Sequence, residues 1–427
     1  MTNSDRNKAK KLSTEPYKGV RDFFPEDMAI QKRIFGVWRN ICEKYGYEEY
    51  GASVLEPAEL YRAKTGEEIV NEQTYTFTDR GSREVTLRPE MTPTVARMVT
   101  AKRRELGLPL RWYSIPNLFR YEQPQRGRVR EHWQLNVDLF GIDSIEADIE
   151  IISLAHQIMK NFGAKDEDFS IKIGDRRWLD WLAVELGDFT KTEENKKKLF
   201  RLLDTKDKDP EKYMRGLKEI DTNLTPEIVS GKGIDWEAID KKLNLKLKQI
   251  IKRLENLSIT NARIDLTTVV RGFDYYTGVV FEIFDTNPEN KRSLFGGGRY
   301  DDLTSLFGGD RIPAVGFGMG DVTIRNFLET HKLLPDIKNP TEIHICTLEE
   351  KFIPNAQELA VRLRAKGINV STNLTDRKVG DQIAWADKRG IPKIICIGDE
   401  EAKTGRFRVK DLKSGDETVT AESEFVL

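Results

Sequence analysis

The sequence predicts an α+β domain interrupted by a helical insertion, followed by a small α/β domain. Three observations carry this reading. Residues 134–140 alternate apolar and polar side chains, the mark of a strand with two unlike faces. From about 176 to 260, charge clusters sit between short helical patterns, as in an insertion within a longer domain. After the proline-bounded LPDIKNP (334–340), strand, helix and strand patterns alternate to the C-terminus. The 427 residues leave room for about two to four domains. The predicted boundaries are a mobile polar tail over 1–15, a main domain over 16–333 containing the insertion 176–260, a linker over 334–340, and an α/β domain over 341–427.

Each element has its own signal. Pro25-Glu26-Asp27 opens a helix with Ile30, Ile34, Val37, Trp38 and Ile41 at helical spacing, and Gly46 ends it. In 134–140, Leu135, Val137 and Leu139 form the apolar face, while Gln134, Asn136 and Asp138 form a polar wall. Residues 145–162 read as an amphipathic helix, and strand signals resume with IDLTTVV (264–270) and VVFEIF (279–284). Gly296-Gly297-Gly298 marks either a close backbone approach or a turn. In the last domain, TEIHICTL, GINVST and KIICIG are strands and 352–366 and 379–389 are helices, giving a sheet that is at least partly parallel.

Several function classes are excluded. No apolar run approaches the roughly 18 residues of a membrane span, and residues 1–15 lack the apolar core of a secretory signal. Cys42, Cys346 and Cys396 and the four histidines are too scattered for a metal signature, so no metal site is predicted and the compartment reads as reducing cytoplasm. The segment from Gly316 to Gly320 resembles a dinucleotide fingerprint, but Asp321 stands where the next glycine is needed. Gly231-Lys232 is followed by Gly233, and Pro226 occupies the earlier glycine position, so there is no phosphate loop. Lys+Arg 69 against Asp+Glu 70 argues against binding nucleic acid through a globally basic field.

The densest local signal is FRYEQPQRGRVREHWQLNVDLF (119–140), a predicted hairpin with an arginine-rich loop. Its inner Arg120 could pair with a phosphate, and its tip, with Arg126, Arg128 and Arg130, could reach a polyanion. From spacing alone, a solvated hairpin with a few salt bridges is the better reading. The hairpin resembles the second signature motif of class II aminoacyl-tRNA synthetases in its histidyl form. YGYEEY (45–50), TYTFTDR (74–80), TLRPEMT (86–92), RGFDYYTGVVFE (271–282) and GGGRYDDL (296–303) are similar, in order and spacing, to histidyl-tRNA synthetases. DRKVGDQIAWADKRGIPKIICIG (376–398) resembles their anticodon-binding domain.

The resemblance implies a catalytic domain on an antiparallel sheet of the class II type and a histidine–tRNA ligase that consumes ATP with Mg2+. Arg120 and Arg271 would grip the ATP α-phosphate. Glu90, Met91, Thr92, Gln134, Asp138, Tyr275, Tyr276 and Tyr300 would surround the substrate histidine. The hairpin loop would meet the acceptor stem of tRNA(His), and two copies would form a homodimer. Three departures stand out. Asp138 replaces a common Glu, Ser53 a common Pro of the first motif, and Thr323 a common Arg of the third, leaving Arg311 as one candidate to cover adenine. The rival readings are a non-catalytic, synthetase-like regulatory subunit of ATP phosphoribosyltransferase and a tRNA-sensing protein. Between 338 and 427 there are 15 basic and 15 acidic side chains, so RNA binding must rest on local, salt-sensitive contacts.

Overall fold

The computed structural model describes residues 12–62, 74–125, 127–185, 193–203, 205–206, 209–222, 224–230, 235–268, 275–290 and 293–425. Residues 1–11 of the predicted tail, Arg126 and Arg271 lie outside them.

Helix α1 (Pro25–Lys44) starts on a proline, whose missing N–H costs nothing there, and carries Glu26 and Asp27 in its first turn. Its buried stripe is Ile30, Ile34, Val37, Trp38 and Ile41; each such side chain contributes roughly 1.5–3 kcal/mol. Gly46 follows at φ +78°, which lets the chain turn back. After β1 (Glu48–Glu49), a small antiparallel sheet forms from β2 (Leu55–Pro57), β3 (Tyr75–Thr78) and β4 (Glu84–Leu87), in the order β2-β4-β3. Helix α2 (Thr92–Ala101) follows.

The main sheet adds β5 (Leu110–Ser114), β6 (Asn117–Phe119), β7 (Glu131–Phe140), β8 (Phe169–Asp175), β9 (Ala262–Ile264), β10 (Val279–Asp285), β11 (Ser293–Arg299) and β12 (Ala314–Gly320). Its order is β1-β5-β7-β12-β11-β10-β8-β9, with β6 paired to β7. Every pairing is antiparallel except the outer pairs β1–β5 and β8–β9. Leu135, Val137, Leu139, Val315, Phe317 and Met319 join α1, helix α3 (Ile145–Asn161) and helix α4 (Asp321–Thr330) in one apolar cluster. Trp38 is fully buried in it and donates its indole N–H to the Met319 sulfur at 3.0 Å. Between β8 and β9 run helices at Arg176–Glu185, Glu193–Leu203, Pro210–Ile220, Pro226–Val229, Trp236–Leu243 and Leu247–Asn256, and Trp178, Leu199, Leu217 and Leu254 extend the same cluster.

The expected strand over 264–270 is corrected as far as residue 268, since β9 ends at Ile264, while residues 269–270 lie outside the described residues. The Asp265 carboxylate accepts from Thr267 N–H at 3.0 Å and from the Thr267 hydroxyl at 2.6 Å, a local turn that competes with the ladder. The Gly296–Gly298 alternative is resolved as well, since all three residues lie inside β11 rather than in a turn.

Contacts divide the chain into Met1–Pro335 and Asp336–Leu427. The second unit has a five-stranded sheet in the order β14-β13-β15-β16-β17: β13 (Ile343–Thr347), β14 (Val370–Thr372), β15 (Lys393–Ile397), β16 (Arg406–Asp411) and β17 (Glu417–Ala421). β13, β14 and β15 are parallel; β16 and β17 are antiparallel additions that the sequence reading missed. Their signal was present in the alternation of buried Phe407 and Val409 with exposed Arg406 and Arg408.

Candidate active site

Strand register builds the site. Gly316, Gly318 and Gly320 of β12 lie opposite Asp138, Asn136 and Gln134 of β7. Across the other edge of β12, Gly316 and Gly318 face Gly298 and Gly296 of β11, and Gly296 faces Glu282 of β10. Cross-strand partners share a face, so the side opposite the apolar cluster has a glycine floor between two polar walls. Over it opens a cavity of about 230 Å³ whose lining includes Glu90, Thr92, Arg120, Arg128, Gln134, Asn136, Tyr275, Tyr276, Glu282, Tyr300 and Thr323. Gly298 has no room for a side chain: a Cβ there would come within 2.7 Å of the Val279 carbonyl oxygen and 2.9 Å of the Tyr276 ring.

Most of the expected residues converge here. Arg120 continues the β6 edge of the hairpin, its N–H donating to the Arg130 carbonyl at 2.9 Å. Its Nε donates to the Pro89 carbonyl at 2.9 Å, which orients the guanidinium. Glu90 and Thr92 flank the start of α2. Glu90 is buried, and its carboxylate accepts from the Tyr275 hydroxyl at 3.0 Å. The ring centroids of Tyr275 and Tyr276 are 5.1 Å apart, and those of Tyr275 and Tyr300 are 5.8 Å apart, forming an aromatic wall. Burial pushes all three phenols upward, so they stay protonated. Gln134 donates its amide to Asn136 Oδ1 at 2.9 Å.

Other expected residues are placed differently. Met91 is fully buried with its sulfur against Arg88 and does not line the cavity. Arg130, expected at the loop tip, is 8% exposed and sits under the hairpin. Its guanidinium donates to the Tyr17 hydroxyl at 3.1 Å and to the Glu122 carbonyl at 3.1 Å, and stacks 4.0 Å from the Tyr121 ring centre. The tip itself is the Gln125–Arg128 bridge, where Arg128 lies 3.4 Å from Glu122 and also lines the cavity. Arg311 is held by Asp301 at 2.9 Å and Asp302 at 3.0 Å, and Thr323 donates to the Leu294 carbonyl at 2.7 Å. Asn136 and Glu282 were not selected from sequence, although strand alternation puts both on the cavity face.

Asp138 shows what its shortened side chain does. It is 2% exposed, does not line the cavity itself, and accepts a hydrogen bond from the Tyr300 hydroxyl. Burial raises its carboxyl to about 7, against a smaller lowering from Tyr300. A raised carboxyl stabilises the fold fully below the ordinary carboxylate range, and this contribution is lost as pH rises towards 7. Asp138→Asn keeps an acceptor for Tyr300 and removes the titration. Its stability relative to the wild type should therefore improve by roughly 2–4 kcal/mol between pH 4 and pH 8. Urea unfolding at both pH values checks this, and a difference that does not change with pH rules it out.

Beyond Asp138, His132 continues the polar face of β7. Desolvation of its ring, followed by the charges of Arg120 and Arg21, lowers the imidazole to about 3, so it is neutral at pH 7. Among the described residues no group of three His, Cys, Asp or Glu side chains could hold a metal.

This arrangement can position a small zwitterion against a triphosphate. An arginine, buried carboxylates and protonated phenols converge above a floor that backbone can approach closely. Comparison with known proteins agrees. The histidyl-tRNA synthetase family model matches residues 19–322, and an anticodon-binding domain model matches residues 342–426. A histidine–tRNA ligase from Leptospira biflexa is 43% identical over 430 residues, covering 98% of this chain and 97% of that protein. One from Thermococcus kodakarensis is 37% identical, covering 94% of each. The crystal structure of histidyl-tRNA synthetase from Nostoc sp. PCC 7120 superposes with a TM-score of 0.73 at 22% identity, covering 97% of this chain and 98% of that one. By these matches, the chain belongs to the histidyl-tRNA synthetase family.

Proposed function

We propose that this protein is a histidine–tRNA ligase: it activates L-histidine with ATP and transfers the histidyl group to tRNA(His). The observation that carries this is Arg120 sharing one glycine-floored cavity with Glu90, Thr92, Gln134, Tyr275 and Tyr276. A carboxylate oxygen of histidine attacks the α-phosphorus of ATP, and pyrophosphate leaves with the bond to the β-phosphate. The terminal ribose hydroxyl of the tRNA then attacks the carbonyl carbon and AMP leaves. Substrate oxygens are the nucleophiles in both steps, so the protein supplies position and charge.

In this reading residues 16–333 carry out the chemistry, with 176–260 as an insertion, and 341–427 meet the anticodon. Arg120 and Arg271 neutralise charge on the α-phosphate. Glu90 and Thr92 hold the substrate ammonium, and Tyr276 and Gln134 border the imidazole. Asp138 acts through Tyr300, and Met91, buried against Arg88, supports the substrate site from outside the cavity. Gln125, Arg126 and Arg128 face the acceptor stem, while Arg130 stiffens the loop they stand on. Mg2+ usually takes one or two carboxylates and fills its shell with phosphates and water. Glu282 on the cavity wall fits that role and would hold the ion, which neutralises the triphosphate when bound. A homodimer and a cytoplasmic location complete the reading. Exposed Leu55 and Phe77 on the small sheet give a second copy an apolar contact, and no described helix is long and apolar enough to cross a membrane.

The regulatory-subunit reading draws on Thr323, which stands where the third motif commonly has arginine. The match of residues 342–426 to an anticodon-binding model supports the ligase instead. Purified protein should exchange pyrophosphate into ATP only when histidine is present, and should charge tRNA(His). Exchange that is equally fast without histidine would sink the reading.

A further inference from the structure

The N-terminal segment from Tyr17 to Phe23 crosses the base of the hairpin and is fastened to it at several points. Arg130 N–H donates to the Gly19 carbonyl at 2.6 Å, and the Arg130 guanidinium donates to the Tyr17 hydroxyl at 3.1 Å. Gly19 has φ +87°, and a Cβ there would come within 2.8 Å of the Arg130 and Pro124 side chains, so only glycine fits. Phe23 meets Trp133 edge-on with ring centroids 5.2 Å apart.

The decisive contact is at Asp321, the first residue of α4, which is 4% exposed. One carboxylate oxygen accepts from Trp133 N–H at 3.0 Å and the other accepts from Arg21 at 2.9 Å. A single buried carboxylate thus joins three elements: the N-terminal segment, the return strand of the hairpin, and the helix that carries Thr323 into the cavity. Gln134, next along the chain from Trp133, lines the same cavity. Arg21 also lies near enough to His132 for its charge to act on that ring together with Arg120.

We propose that Arg21 and Asp321 are positioning residues for the ATP step, locking the N-terminal segment onto the hairpin so that Arg120 is held at the triphosphate. This rests on the site assignment above. The histidine-facing contact of Glu90 with Tyr275 does not pass through the segment, so release of the lock should affect ATP and spare histidine.

The test is steady-state ATP–pyrophosphate exchange with the full chain, varying ATP and histidine separately. Arg21→Ala should raise KM for ATP about tenfold while KM for histidine stays within about twofold, and Arg21→Lys should restore part of the loss. Asp321→Asn still accepts from Trp133 and weakens only the arginine tie. It should raise KM for ATP about threefold, and it decides the question if Arg21→Ala does not fold. An ATP KM within twofold of wild type in both variants, or equal rises in both KM values, overturns the proposal. Arg120→Ala, measured alongside, tests the site assignment separately: if its exchange is intact, that assignment fails whatever Arg21 does.

Discussion

Arg120→Ala is expected to lower kcat for histidine-dependent ATP–pyrophosphate exchange by roughly 10²–10³-fold, about 3–4 kcal/mol of transition-state stabilisation. The Nε of Arg120 is committed to the Pro89 carbonyl, which fixes the plane of the guanidinium. No described residue takes its two terminal nitrogens, so they remain for a phosphate. Charge builds on the phosphoryl oxygens as the reaction proceeds, so losing a preorganised cation costs more in the transition state than in the bound substrate. KM for histidine should stay within about twofold, because the bond between Glu90 and Tyr275 is independent of Arg120. The fold loses one side-chain to backbone hydrogen bond, worth about 1 kcal/mol. Exchange kinetics and a melting curve on the same preparation separate these effects. Activity within fivefold of wild type would remove Arg120 from the phosphate site.

Local periodicity made much of this architecture readable from sequence. Helix α1, the two-faced strand β7 and the alternating C-terminal unit each bury one face, and burial of one face imposes a period on the residues themselves. Long-range pairings left no such trace. Arg130 looks like a third loop arginine beside Arg126 and Arg128, yet its partner Tyr17 is 113 residues away. Tyr300 reaches Asp138 across 162 residues, and only the fold shows that this acid accepts from a phenol. Glu282 lay within a quoted motif, but its role depends on β10 standing beside the β11 glycines, a matter of strand order that one sequence does not display. The strand expected from Ile264 onward stops there for a local reason: β-branched residues suggested a ladder, and the Asp265 turn won.

Gly316→Ala should strongly destabilise the sheet. The added Cβ would lie 2.7 Å from Asp138 Oδ1 and closer still to the Val137 carbonyl oxygen. Val137 is backbone in the centre of the sheet, between β5 and β12, and cannot move without stretching the ladder on both sides. Overpacking of this kind costs about 3 kcal/mol or somewhat more. The methyl also raises the cavity floor, so histidine binding should weaken at least about tenfold even where the protein stays folded. Gly318→Ala provides the contrast two residues along the same strand and face. There the nearest atoms belong to the end of the Gln134 side chain, which can swing aside. Stability should therefore stay within about 1 kcal/mol of wild type, while KM for histidine rises as Gln134 is displaced. Urea unfolding and exchange kinetics on the two variants check both halves. Equal loss of stability in both would mean that the floor tolerates neither methyl, and that the distinction between backbone and side-chain neighbours is wrong.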